Sequence, residues 1–333
     1  MQIQMRDFMK DVLELWIGST QRMCRGMAAP SIRAFRYAVL LAAVVGLSSA
    51  VAAPPPQVTN QVLMLDSGPV FVRDSGGRGV PVVFLHPING MMWDQQIPAL
   101  IKAGYRFISI DYRGPGGPAL PAGVSSNTRI EQTVQALALP RFHLVGTAGG
   151  SVAATQFALE HPDQVRSLVV SNSLAGLRDK DFNEIEARLR SPQFDAMPRE
   201  WKELGPTYRA LHPDGVKQWL EMVASPPAPL VAAQQPKAEG SAPMPTAPSP
   251  TAPSQPPGAG LPPVTWARLD QLTVPVEMIT GDADPYTPPG IMREFVARLK
   301  GAQGAVIPDS GHTAYWEAPD AYNKALVAFL NAH

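Results

Sequence analysis

The chain has 333 residues, 45% of them hydrophobic and 17% charged, which is enough apolar material for a buried core and excludes a wholly disordered chain. Lys and Arg number 28 and Asp and Glu 28, so no basic excess exists to neutralise phosphates, and nucleic acid is not expected as a partner. The single cysteine, Cys24, excludes a disulfide framework, and the 36 prolines are too many for one compact domain and must be concentrated somewhere.

The first candidate element is "YAVLLAAVVGL" at 37–47, preceded by Arg33 and Arg36 and followed by "SSAVAAPPP". A basic region, a short apolar stretch and a small-residue site in that order read as a secretory signal. The stretch is shorter than the ~20 residues that span a bilayer. Ala50 and Ala52 satisfy the A-x-A rule, so residues 27–52 are expected to be a signal peptide. Cleavage after Ala52 gives an exported chain, periplasmic or secreted, that starts at Ala53 and has no stable membrane insertion. Met27 stands where the initiator of such a signal belongs, and residues 1–26, Cys24 among them, read as an over-extended N-terminus.

Farther along, short apolar runs recur: "PVVFL" at 81–85, "RFISID" at 106–111, "FHLVG" at 142–146, "SLVVSN" at 167–172, "VEMIT" at 276–280 and "GAVIP" at 304–308. Runs apolar throughout and rich in β-branched residues are the pattern of strands covered on both faces. Helical stretches fall between them, among them "VAATQFALEH" at 152–161 and "IMREFVARLK" at 291–300. The alternation predicts an α/β fold with a doubly wound, mostly parallel sheet, its core drawn from 53–175 and 264–333. Residues 176–224 hold only helical and turn signals, including "FNEIEARLR" and "GVKQWLEMV". They are expected to form a helical lid over the carboxyl ends of the strands, where ligands of open α/β sheets bind. In residues 225–263 a third of the positions are proline. Such a stretch buries too little apolar surface to offset its ordering entropy and reads as a disordered Pro/Ala-rich insertion.

After "FHLVG" the chain turns through Gly146, Thr147, Ala148, Gly149 and Gly150 into a helix. Here the sequence resembles the α/β-hydrolase superfamily, whose nucleophile sits in a G-x-S-x-G elbow between strand and helix. The nucleophile position is Ala148, and a methyl group attacks nothing. The resemblance runs from about Val70 to the C-terminus without the proline insertion, in the family's order of nucleophile, acid and base. In "TGDADPYTPP" it implies Asp284 as the acid, with Asp282 the less favoured choice. In "PDSGHTAYWEAP" it implies His312 as the base, held in the correct tautomer by Asp284. In "FLHPINGMMWD" Pro87 stands where the family has glycine, and the implied oxyanion hole consists of the amides of Ile88 and Gly149.

The remaining polar candidates read as structural. His86, His143, His161, His212 and His333 have no acid at family spacing, and Arg113 of "DYRGPGG" is expected to serve the fold. Thr147 precedes the elbow apex and Ser151 lies in the first helical turn, so neither is expected to replace the nucleophile. Trp93, Tyr286, Tyr315 and Trp316 read as packing residues. The glycine-rich turn lacks the Lys-Ser/Thr ending of a phosphate loop and does not fit G-x-G-x-x-G. No cofactor or metal is expected.

The resemblance, with alanine at the elbow, implies a hydrolase of a small, fairly apolar ester- or lactone-like substrate, in which the His312 and Asp284 dyad activates water directly. Two alternatives keep the same dyad or pocket: a non-hydrolytic His-base enzyme of the lyase or cofactor-free oxygenase type, and a non-catalytic ligand-binding pseudohydrolase. Acid and base at family spacing favour an enzyme, because a binder needs neither.

Overall fold

A computed structural model describes residues 58–113, 120, 123–190, 192–224 and 262–333. The expected signal at 27–52, the stretch 1–26 and all but the last two residues of the proline-rich insertion lie outside the described residues. Among the described residues eight strands form one sheet: β1 Thr59–Leu65, β2 Gly68–Asp74, β3 Pro81–Leu85, β4 Arg106–Ile110, β5 Phe142–Thr147, β6 Val165–Ser171, β7 Val276–Gly281 and β8 Ala302–Ile307. Their order is β1-β2-β4-β3-β5-β6-β7-β8. β1 and β2 pair antiparallel, β2 pairs antiparallel with β4, and every later pair is parallel.

The six strands expected from apolar runs are present, and β1 and β2 are two that those runs did not indicate. In β1 no residue is fully buried, so it carries no continuous apolar run. The hairpin turns on Asp66 and Ser67, with Leu65 opposite Gly68 and Gly68 at φ +96°, a backbone that glycine adopts without strain.

Side chains alternate across the central strands while both faces stay covered. Val83, Leu85, Leu144 and Met278 face a cluster that includes Phe157 and Phe295. Val82, Phe84, Val145 and Ile279 face another that includes Trp93, Tyr315 and Phe329. A period of two with apolar residues on both sides is what helices on both faces of a parallel sheet require. Those helices are α1 Ile97–Lys102, α2 Ser126–Ala136, α3 Gly149–Glu160, α8 Trp266–Leu269, α9 Pro289–Arg298, α10 Ala314–Glu317 and α11 Pro319–Ala332.

Between β6 and β7 the chain forms α4 Lys180–Leu189, α5 Arg199–Glu203, α6 Pro206–Leu211 and α7 Pro213–Ala224. Pro198 precedes α5, and Pro206 and Pro213 open α6 and α7. Proline fits a first helical turn and breaks a helix interior, so the interval is a set of short helices rather than one long one. The chain rejoins the body slightly ahead of the expected boundary at 264. The carbonyl of Pro262 accepts from Gln156 Nε2 at 2.7 Å and Arg268 NH1 at 2.8 Å.

Candidate active site

Ala148 sits between β5 and α3 at φ +46° and ψ −119°. For a residue with a Cβ this conformation costs on the order of 1–3 kcal/mol and persists only where the surroundings over-determine it. They do so through backbone contacts. The Ala148 amide donates to the Ser171 carbonyl at 3.0 Å, and its carbonyl accepts from the Ser151 amide at 3.1 Å. A Cβ on Gly146 would lie 2.5 Å from the Gly150 backbone, and one on Gly150 would lie 2.2 Å from the Leu85 carbonyl oxygen. Strand β5, helix α3 and strand β3 therefore meet backbone to backbone, which only glycine permits. The strained turn that presents a nucleophile is intact, and its apex carries a methyl group. Ser151 is part of the brace, its hydroxyl donating to the Gly146 carbonyl at 2.7 Å. Thr147 borders the cavity one residue before the apex.

Asp284 follows β7 and His312 follows β8. His312 Nδ1 lies 3.0 Å and 3.1 Å from the two Asp284 carboxylate oxygens. One oxygen also accepts from the amides of Tyr286 and Thr287 at 2.8 and 3.1 Å. The other accepts from Asn172 Nδ2 at 3.0 Å and Thr280 Oγ1 at 3.2 Å. Burial pushes the Asp284 carboxyl up, but the His312 charge and these hydrogen bonds outweigh it and hold the group below its ordinary range. Asp282 is exposed and accepts from the amides of Asp309 and Ser310, so it shapes the loop that leads to His312. Asn172 and Thr280 belong to the site although no motif announced them.

On the other side of the ring, His312 Nε2 lies 4.0 Å from Glu203 Oε2. Burial disfavours the imidazolium, but the charge and hydrogen bond of Asp284, with Glu203 and Glu317 behind them, push its pKa up to about 9. The pairing with Asp284 thus favours the protonated ring.

The Ile88 amide, expected as an oxyanion donor, donates to His86 Nδ1 at 3.1 Å, as does the Asn89 amide. Burial, aided by the charges of Arg199 and His312, pushes the His86 pKa down to about 3. The neutral ring accepts at Nδ1 and therefore donates from Nε2 to Tyr315 Oη, 2.9 Å away. The Ile88 hydrogen is thus directed at His86 and not at a substrate. Gly149 opens α3, within the first turn whose amides have no intrahelical partner. The 86–90 loop after β3, which carries Ile88, is fastened by Gly90, whose amide donates to Asp111 at 2.9 Å.

Ile88, Ala148 and His312 line one cavity of about 190 Å³, with Asp284 behind His312 and Gly149 next to Ala148. The lid interval contributes Arg199, Glu203, Trp219 and Val223, and Arg113 reaches it from the loop after β4. The expectation of a fairly apolar pocket is corrected by these charges; Arg113 borders the cavity, and Tyr315 borders it as well as packing in the core. Among the described residues no group of three or more His, Cys, Asp or Glu is arranged to hold a metal ion.

A family model described as alpha/beta hydrolase fold matches residues 80–319. A 2-hydroxy-6-oxononadienedioate/2-hydroxy-6-oxononatrienedioate hydrolase of Klebsiella pneumoniae is 24% identical over 290 residues, 82% of this chain and 96% of the relative. The structure of a thermophilic esterase from Thermogutta terrifontis superposes with a TM-score of 0.61 at 22% identity, covering 82% of this chain and 98% of that one. A bromoperoxidase from Bacillus anthracis gives 0.58 at 20% identity, covering 82% and 100%. At these identities the likeness to the solved structures is one of fold.

Proposed function

Because the chain belongs to the alpha/beta hydrolase fold family, we propose that it is a hydrolase of a small ester- or lactone-like substrate in which water attacks directly, without a covalent intermediate, at the elbow of Ala148. The observation that carries this reading is the buried His312–Asp284 pair beside a strained apex that holds a methyl group where a hydroxyl would stand. In this reading the dyad exchanges protons with water and leaving group, and Asp284 keeps the ring oriented. The Gly149 amide serves the developing oxyanion. Serine proteases stripped of their triads still accelerate hydrolysis by roughly 10³–10⁴ over water through oxyanion hole and binding, so loss of the nucleophile does not by itself end catalysis.

Arg113 and Arg199 on the cavity wall support a substrate that also carries an anionic group, and one relative is named for a dienedioate, a dicarboxylate. The signal-like segment at 27–52 supports action outside the cytoplasm. Lyase-type chemistry and ligand binding use the same pocket and are separated from hydrolysis by the following test. The purified protein is screened against aryl esters and lactones with and without a carboxylate, beside Ala148→Ser and His312→Ala. Hydrolysis predicts burst-free turnover by the parent, its loss in His312→Ala, and a burst with an acyl adduct visible by mass spectrometry in Ala148→Ser. An acylated Ala148→Ser beside a parent inert on every substrate would overturn direct water attack.

A further inference from the structure

A second acidic group faces His312 from the lid side. Glu203 ends α5, borders the same cavity as Ala148, and brings its Oε2 to 4.0 Å from His312 Nε2 with 20% of its side chain exposed. Backbone packing fixes its position. The Glu203 carbonyl accepts from Thr313 Oγ1 at 3.5 Å. A Cβ on Gly311 would meet the Gly205 nitrogen at 2.6 Å and the Glu203 carbonyl at 3.0 Å. The half-buried carboxylate of Glu317 accepts from the Gly205 amide at 2.6 Å and the Gly311 amide at 3.0 Å. The end of α5 is therefore seated on the loop that carries His312, and Nε2 faces a carboxylate in a site whose elbow offers no hydroxyl.

Building on hydrolysis by direct water attack as read above, we propose that Glu203 is the general base and His312 the general acid of that reaction. Glu203 takes one proton from water as the water oxygen bonds to the substrate carbonyl carbon, giving a tetrahedral oxyanion. Collapse of that intermediate breaks the bond to the leaving oxygen, which receives the Nε2 proton of His312. The products are a carboxylic acid that keeps the second proton of water, and an alcohol. Proton return from Glu203 to Nε2 restores both groups, so one water and one ester are consumed and nothing else is required.

The surroundings divide the roles in the same way. Asp284, Glu203 and Glu317 hold a proton on His312 up to about pH 9. The other groups facing the ring are Tyr286, at 4.4 Å between centroids, neutral His86, and Arg199 across the cavity.

Two readouts test the assignment, one independent of turnover. In the titration of His312 followed by NMR, Glu203→Gln is expected to move the midpoint downward from about 9. In hydrolysis of a chromogenic ester, Glu203→Gln is expected to lose about 10²-fold in kcat with a smaller change in KM. Formate is expected to restore part of the rate to Glu203→Ala, and the falling limb of the parent's pH profile should lie near 9. An unmoved His312 midpoint, or a lowered midpoint with kcat retained, overturns the role of Glu203 while leaving hydrolysis standing if the parent turns over. A lowered midpoint with a parent that hydrolyses nothing overturns hydrolysis and the base role with it, and leaves only the pairing.

Discussion

The residues that reach the cavity come from two regions held to different tolerances. Those at the sheet's carboxyl ends are set by glycine contacts of backbone on backbone and by a carboxylate, Asp284, that accepts from four protein donors besides His312. Those from the lid ride on α5 and α7, and neither α5 nor the neighbouring α6 contains a buried residue. One region has a single arrangement; the other is a set of short helices pinned at a few points, chiefly where Gly205 meets Gly311 and Glu317. Chemistry that needs fixed geometry is expected of the first, and adjustment to substrate of the second.

The largest effect that sharpens this contrast is the same substitution made in each region. Gly150→Ala drives a methyl group into the Leu85 carbonyl at 2.2 Å, and neither strand nor helix can yield. A loss of about 3 kcal/mol is expected, roughly 6–12 °C in Tm for a domain of this size. Gly205→Ala meets Glu317 Oε2 and the Gly311 amide at 2.9 Å, and the short lid helices can shift. About 1 kcal/mol is expected, with a larger effect on kcat because Glu203 moves with it. Equal losses of Tm in the two variants would erase the distinction.

The dyad gives the next test. His312 has a folded pKa raised from 6.5 to about 9, so its contribution to stability is complete below pH 6.5 and is lost as pH rises through about 9. The lowered Asp284 reports the same pair from the other side and is not counted again. Relative to His312→Gln, the parent should lose up to about 3 kcal/mol between those pH values, seen as a narrowing difference in Tm. A difference that stays constant from pH 6 to 10 would mean that the pair is no tighter folded than unfolded.

How far the site is legible in the sequence follows the same division. The elbow glycines, Asp284 and His312 stand at the ends of apolar strands in fixed chain order, where a motif has few places to go. Strand β1 escapes because it faces solvent in part, and β2 because its buried apolar run, Val70 to Val72, is only three residues long before Arg73 and Asp74. Glu203 escapes for a different reason. Its role comes from a lid helix folding back onto residue 312, more than a hundred positions away, and no local pattern encodes that contact. The Ile88 amide shows the converse. The motif supplies the right loop, but the direction of its hydrogen is decided by His86, whose acceptor nitrogen is visible only in three dimensions.

The smallest expected effect separates two carboxylates that lie two positions apart in one loop. Asp284 is buried and receives four hydrogen bonds besides His312, so Asp284→Asn replaces an anion beside imidazole with a neutral amide and is expected to cost about 10²- to 10³-fold in kcat. Asp282 is exposed and, among the described residues, accepts from the amides of Asp309 and Ser310, one on each oxygen, at 3.0 and 3.2 Å. An asparagine there keeps one of the two acceptor oxygens and loses the other, so Asp282→Asn is expected to cost about 1 kcal/mol. Its rate should stay within roughly threefold of the parent, because loosening residue 309 reaches His312 only through the Ser310 and Gly311 backbone. Kinetics and thermal unfolding of the two variants, measured side by side, check both statements. A loss for Asp282→Asn as large as that for Asp284→Asn would mean that the geometry of the 309–311 turn, and not the buried charge behind the imidazole, limits the reaction.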